Sequence, residues 1–155
     1  MQLGKWLLIS AFLFTLIGCG TDSALDPPSK QRNEDIDLSE ISTDQSISQE
    51  PSNRAKDILS HYDQITTIKA VNSDKEILIA IEIKHMERFK LAKIREQLTK
   101  EMKEEFDNLK VELSTDKKIV MELDKLEKNL KKQVYPKKDL QKKLNKLVEF
   151  SKEQT

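Results

Sequence analysis

Glu76-Ile-Leu-Ile-Ala-Ile-Glu-Ile-Lys84 is the stretch that decides the fold. Successive side chains of a strand point to opposite faces, so Ile77, Ile79, Ile81 and Ile83 share one face, with Leu78 and Ala80 on the other. Both faces of its first half are apolar, which predicts a central strand with one face against helices. Before it, Ile65 to Val71 is rich in β-branched residues and reads as a strand. The polar turn Asn72-Ser73-Asp74-Lys75 joins the two into a hairpin.

Outward from the hairpin the period changes. Leu91, Ile94, Leu98 and Met102 recur at intervals of three and four, predicting a long helix over 86–106. Leu109, Val111 and Leu113 alternate with Lys110 and Glu112, the pattern of a strand with one wet face. Ser114-Thr115-Asp116 offers N-cap oxygens to a helix carrying Ile119, Leu123, Leu126 and Leu130. Pro136 opens a last helix with Leu140, Leu144 and Leu147. Pro51-Ser52-Asn53 supplies the start of a first helix running to about Tyr62. The expected fold is α+β, in the order α-β-β-α-β-α-α: a three-stranded sheet, made of the hairpin plus one strand after a crossover helix, with helices mainly on one face. A third strand parallel to a hairpin strand calls for a right-handed crossover.

The N-terminus carries a different signal. In MQLGKWLLISAFLFTLIGCG, Lys5 precedes an apolar run from Trp6 to Ile17, then Gly18 and Cys19. That run is too short to span a bilayer and ends in a small residue before a cysteine, as in a bacterial lipoprotein signal peptide. Residues 1–18 are expected to be cleaved after Gly18, with Cys19 bearing a diacylglyceryl group on the extracytoplasmic face of the cell membrane. Two acyl chains satisfy the two-signal requirement for stable anchoring, each buried methylene contributing roughly 0.8 kcal/mol. An ordinary secretory signal with a chance cysteine, or an uncleaved N-terminal anchor, are the alternatives. Cys19 is the only cysteine, so no intrachain disulfide is available.

Residues 19–53 read as a disordered acidic tether. From 20 to 53 there are eight acidic residues against Lys30 and Arg32, a net of −6, with three prolines and no aromatic residue. A flexible coil of that length reaches roughly 30–35 Å. Isolated Ile36, Leu38, Ile41 and Ile47 leave a docking segment or transient helix as the alternative. Residues 54–134 form the α+β domain and 135–155 a lysine-rich C-terminal helix. From 117 to 155 there are twelve lysines against six acids. They read either as a solvated helix face or as a site for anionic lipid headgroups, each nearby lysine contributing roughly 1 kcal/mol. Tyr135 and Phe150 are the only aromatics among them, and the chain reads as exported, so no nucleic-acid partner is expected.

Catalytic chemistry is poorly represented. The three glycines, Gly4, Gly18 and Gly20, all lie in the first twenty residues, which leaves the domain without the glycines of a phosphate-cradling loop or a nucleophile elbow. His61 and His85 are too far apart in sequence for a helical zinc pair. Ser60-His61-Asp63 are sequence neighbours whose functional atoms do not converge, and they read as a helix end. Glu101 and Glu105 read as solvated helix charges. No catalytic, metal or cofactor-binding residue is expected, and no enzyme activity.

The runs AKDILSHYDQITTIKAVNSDKEILIAIEIKHMERFKLAKI and VELSTDKKIVMELDKL together resemble the YhcN/YlaJ family of sporulation lipoproteins of endospore-forming bacteria, closer to its YlaJ side. The resemblance is carried by Ala70-Val71-Asn72, the apolar central strand, Lys84-His85 with Arg88-Phe89, and Ser114 to Lys118, covering about Arg54 to Leu130. It implies a non-enzymatic, lipid-anchored protein of the forespore or spore inner membrane, with a part in spore formation, germination or outgrowth. The family offers no catalytic or ligand residues to transfer, and only Cys19 carries over with a defined role. Phe89, at the mouth of the long helix, reads as core and Arg88 as surface; the alternative is an interaction pair, Phe89 packed under the sheet edge and Arg88 capping a carbonyl or pairing with a tether carboxylate. An envelope protein partner is expected without being identified.

Overall fold

A computed structural model describes residues 23–41 and 46–153. Gly18 and Cys19 lie outside the described residues. The elements are α1 (Glu50–Leu59), β1 (Ile65–Asn72), β2 (Glu76–Ile83), a 3-10 turn (His85–Lys90), α2 (Leu91–Glu105), β3 (Lys110–Ser114), α3 (Lys117–Lys132) and α4 (Lys137–Glu153). This is the expected order α-β-β-α-β-α-α. The three-stranded mixed sheet runs β1-β2-β3, with β2 in the centre. β1 pairs antiparallel with β2, Ile68 opposite Ile81 and Ala70 opposite Ile79. β3 runs parallel to β2, Ile77 opposite Val111 and Ile79 opposite Leu113.

Helices cover both faces of the sheet rather than mainly one. Ile77, Ile79, Ile81 and Ile83 pack with Ala55 and Leu59 of α1 and with Ile94, Leu98 and Met102 of α2. Leu78, Ala80 and Val71 pack with Ile119, Leu123, Leu126 and Leu130 of α3. The second face is small and apolar, and burying it contributes roughly 25 cal/mol per Å² only if a helix covers it. α4 joins the same core through Leu140, Leu144, Leu147 and Val148.

The long helix begins later than expected. His85–Lys90 form a 3-10 turn with no buried residue, and the α-helix starts only at Leu91, where the apolar stripe starts. Asp116 is the α3 cap, its Oδ1 accepting from the Lys118 N–H at 2.7 Å and the Ile119 N–H at 3.2 Å.

The acidic segment read as a disordered tether is instead a strap on the domain over 23–41 and 46–49. Ala24 and Ile36 enter the first core, and Ile41 and Ile47 the second. Polar bonds hold the chain between these anchors. The Asn53 amide donates to Ile41 O at 2.9 Å and accepts from the Ile41 N–H at 3.0 Å. Ser29 and Asn33 N–H groups donate to the carbonyls of His61 and Ser60. Composition averages over the few aliphatic residues, whereas each of them finds a pocket built by other elements.

The strap and α3 together close the outer edge of β1, where a bare strand would expose its donors. The Asn72 N–H donates to Gln49 Oε1 at 3.1 Å and the Ala70 N–H to Glu127 Oε1 at 2.9 Å.

Candidate functional site

The residues with catalytic overtones are occupied in holding elements together. Ser60 Oγ donates to Asp57 O at 2.6 Å, and His61 Nδ1 lies 2.8 Å from the same carbonyl, so both finish the last turn of α1. Asp63 is exposed. Glu101 accepts from the Tyr62 hydroxyl at 2.6 Å, tying α2 to the end of α1. Burial, together with that carboxylate, pushes the Tyr62 hydroxyl above its usual range. Glu105 pairs with Arg54. The two glutamates therefore bind different partners rather than one another. Among the described residues no group of three or more His, Cys, Asp or Glu is placed to hold a metal ion.

A buried charge cluster lies over the β1 edge, where α1, β1 and α3 meet. Lys56 and Glu127 are each only 2 % exposed, with Nζ and Oε1 3.5 Å apart. Lys56 Nζ also donates to Ser39 O of the strap at 2.8 Å. Lys69 Nζ lies 3.0 Å from Asp124 Oδ1 and 3.7 Å from Glu127 Oε2. Burial dominates at the inner pair, lowering the Lys56 ammonium and raising the Glu127 carboxyl, each opposed by the other's charge. At Lys69 burial also lowers the ammonium, but the Asp124 hydrogen bond and the neighbouring carboxylates outweigh it and the net direction is up. This cluster locks the strap, an edge strand and two helices together. Its sequence signal was Lys56 between Ala55 and Leu59, on the buried side of a helix.

Among the described residues the 3-10 turn presents the most exposed large apolar side chains. Met86 is 78 % and Phe89 81 % exposed, which corrects the expectation that Phe89 packs under the sheet edge. Nothing in this turn is buried, because the chain leaves β2 here before α2 has rejoined the core. A 3-10 turn has three residues per turn, so Met86 and Phe89 lie on the same side. Arg88 is exposed and lines a shallow groove of about 320 Å³ with Ile83, Leu91 and Asp116. Among the described residues it has no ion-pair partner, so the expected tether carboxylate is not there. Lys90 Nζ sits 5.3 Å from the Phe89 ring centre. Met86 was not singled out in the sequence, although its spacing of three from Phe89 amid Lys84, His85, Arg88 and Lys90 is a legible signal.

At the opposite end of the sheet lies the lysine-rich start of α4. Lys137 pairs with Asp74 of the hairpin turn at 2.7 Å, and Lys143 approaches Glu122 at 3.8 Å. Lys138, Lys142 and Lys146 have no ion-pair partner among the described residues and line an open groove of about 670 Å³ with Gln141 and Asn145.

Among the described residues no helix is long and apolar enough to cross a membrane. No family model, curated protein or solved structure matches this chain.

Proposed function

We propose that the protein is a lipid-anchored, non-enzymatic interaction component of a bacterial cell envelope, acylated at Cys19 on the extracytoplasmic side. One observation carries this reading: the only cysteine follows Gly18 at the end of a short apolar run headed by Lys5. The stage, a forespore or spore inner membrane, rests on the resemblance over Arg54 to Leu130 alone. Quantifying the protein in inner membranes of dormant spores against membranes of growing cells tests it. Strong spore enrichment supports the stage, and equal amounts in both remove it. The anchor is tested separately by Cys19→Ser, which is expected to release the protein from the membrane fraction; retention of the variant refutes acyl anchoring.

A second reading is favoured by Lys138, Lys142 and Lys146, three unpaired cations along one groove. It makes α4 a site for anionic lipid headgroups, sensitive to salt because exposed charges are screened within about 10 Å at 0.1 M.

A further inference from the structure

The strap fixes where an anchored chain leaves the domain. Gln97 of α2 holds its first described residues: the Ala24 N–H donates to Gln97 Oε1 at 3.1 Å, and Gln97 Nε2 donates to Ser23 Oγ at 3.2 Å. Further along, Gln64 Nε2 donates to Asp26 Oδ2 at 2.6 Å, and the Gln64 carbonyl accepts from the Lys84 N–H at 2.8 Å. Asp26 therefore lies beside the junction where β2 gives way to the 3-10 turn, and Ser23 and Ala24 lie further along α2, beside Gln97. Gln97 is about 10 Å along α2 from Lys90, at 1.5 Å per residue. Cys19 and Ser23 are four residues apart, and even a fully extended chain spans that in about 14 Å. Acyl chains on Cys19 would thus keep the 3-10 turn, with its exposed Met86 and Phe89, within roughly 25 Å of the bilayer surface.

The composition of the turn suits that position. Two apolar side chains share one side, flanked in the chain by Lys84, Arg88 and Lys90, with Glu87 of the turn pairing with Lys90 at 3.3 Å. Apolar tips with a basic rim are how an element lies in a membrane interface, the cations meeting headgroups while the apolar groups enter the acyl boundary. Building on the acylation reading above, we propose that the 3-10 turn is a second membrane contact. Met86 and Phe89 insert into the bilayer that carries the acyl chains, and Lys84, Arg88 and Lys90 meet anionic headgroups. The domain then rests on the membrane in one orientation. The unpaired lysines near the start of α4, at the hairpin-turn end, face away from it.

The test uses the acylated full chain in vesicles containing phosphatidylglycerol and a brominated lipid. Trp6, the only tryptophan, leaves with the signal peptide, so Phe89→Trp introduces a single reporter at an exposed position. Val134→Trp is the comparison, also exposed, beyond the far end of α3. The Phe89→Trp protein is expected to lose most of its emission to the bromine and to shift to the blue, while the Val134→Trp protein changes in neither respect. Equal quenching at both positions, quenching at neither, or quenching at residue 134 alone each overturns the proposal. The mass of the mature chain reports acylation independently. An acylated chain with an unquenched Phe89→Trp defeats the second contact while leaving the anchor intact, whereas a chain without acyl groups defeats both.

Discussion

At Glu127 a carboxylate is taken out of water beside an equally dry ammonium, that of Lys56. Desolvating each ion costs several kcal/mol, and mutual attraction, the Lys69 ammonium beside Glu127, and bonds from the Ala70 N–H and to Ser39 O offset this. Removing one partner leaves the other charged and unpaired. Glu127→Gln is therefore expected to lower unfolding free energy by about 3–5 kcal/mol in urea titrations. Replacing both with apolar residues, Lys56→Met with Glu127→Leu, is expected to restore only part of that loss, because neither charge then has to be desolvated but the buried Ala70 N–H loses its acceptor, at about 1–3 kcal/mol. By contrast Lys125→Ala, which breaks the exposed pair with Glu122, is expected to cost no more than about 1 kcal/mol. Asp124 adds a pH signature. Hydrogen bonds from Lys128 and Lys69 hold its carboxyl below the usual value of 3.8. A depressed folded value means stability present above pH 3.8 and lost as pH falls through the folded value. The stability gap between the protein and Asp124→Asn is expected to be constant near neutrality and to close only below pH 3.8.

Among the elements, the strap and the 3-10 turn are where the sequence misleads, for opposite reasons. α2, α3 and α4 repeat apolar residues at helical spacing, and β2 alternates around an apolar centre, so their positions follow from period alone. Even the covering of both sheet faces is written in Leu78 and Ala80, which point away from Ile77 and Ile79. Ile36, Ile41 and Ile47 have no period. Their burial depends on pockets supplied by other elements, which local composition does not report. Within the 3-10 turn, Phe89 looked like core because it precedes the stripe of α2, but a one-turn offset leaves it outside. The strap's attachment is testable at Ile41, which is 2 % exposed. Truncating a buried isoleucine to alanine costs about 2 kcal/mol or more, enough to raise the open population more than about tenfold. Hydrogen exchange of Ile41→Ala is expected to accelerate at Ile41 and its strap neighbours, while the amides between β1 and β2 keep their protection. Loss of protection across the sheet as well would mean that strap and domain unfold as one unit.

Among the described residues, basic side chains gather at both ends of the sheet, and the two most exposed large apolar ones, Met86 and Phe89, lie at one of them. One end gathers the 3-10 turn, the start of α3 and Asp26 of the strap; the other gathers the hairpin turn, the end of α3 and Lys137 with Asp74. Arg88 and Phe89 were legible as candidates from residue type, but their neighbourhood was not. Only the bonds from Gln97 and Gln64 to the strap bring them to the place where an acyl anchor would leave. The two proposed membrane contacts therefore sit at opposite ends and predict opposite responses to charge reversal. Lys138→Glu, Lys142→Glu and Lys146→Glu together are expected to leave the quenching of a tryptophan at 89 unchanged in anionic vesicles. Lys84→Glu, Arg88→Glu and Lys90→Glu together are expected to weaken it, since like charges now face the headgroups within a screening length of about 8–10 Å. Acyl anchoring keeps both variants on the vesicles, so reporter depth isolates orientation from affinity. If the α4 reversal weakened quenching and the turn reversal did not, the lysine groove would be the face that meets the membrane.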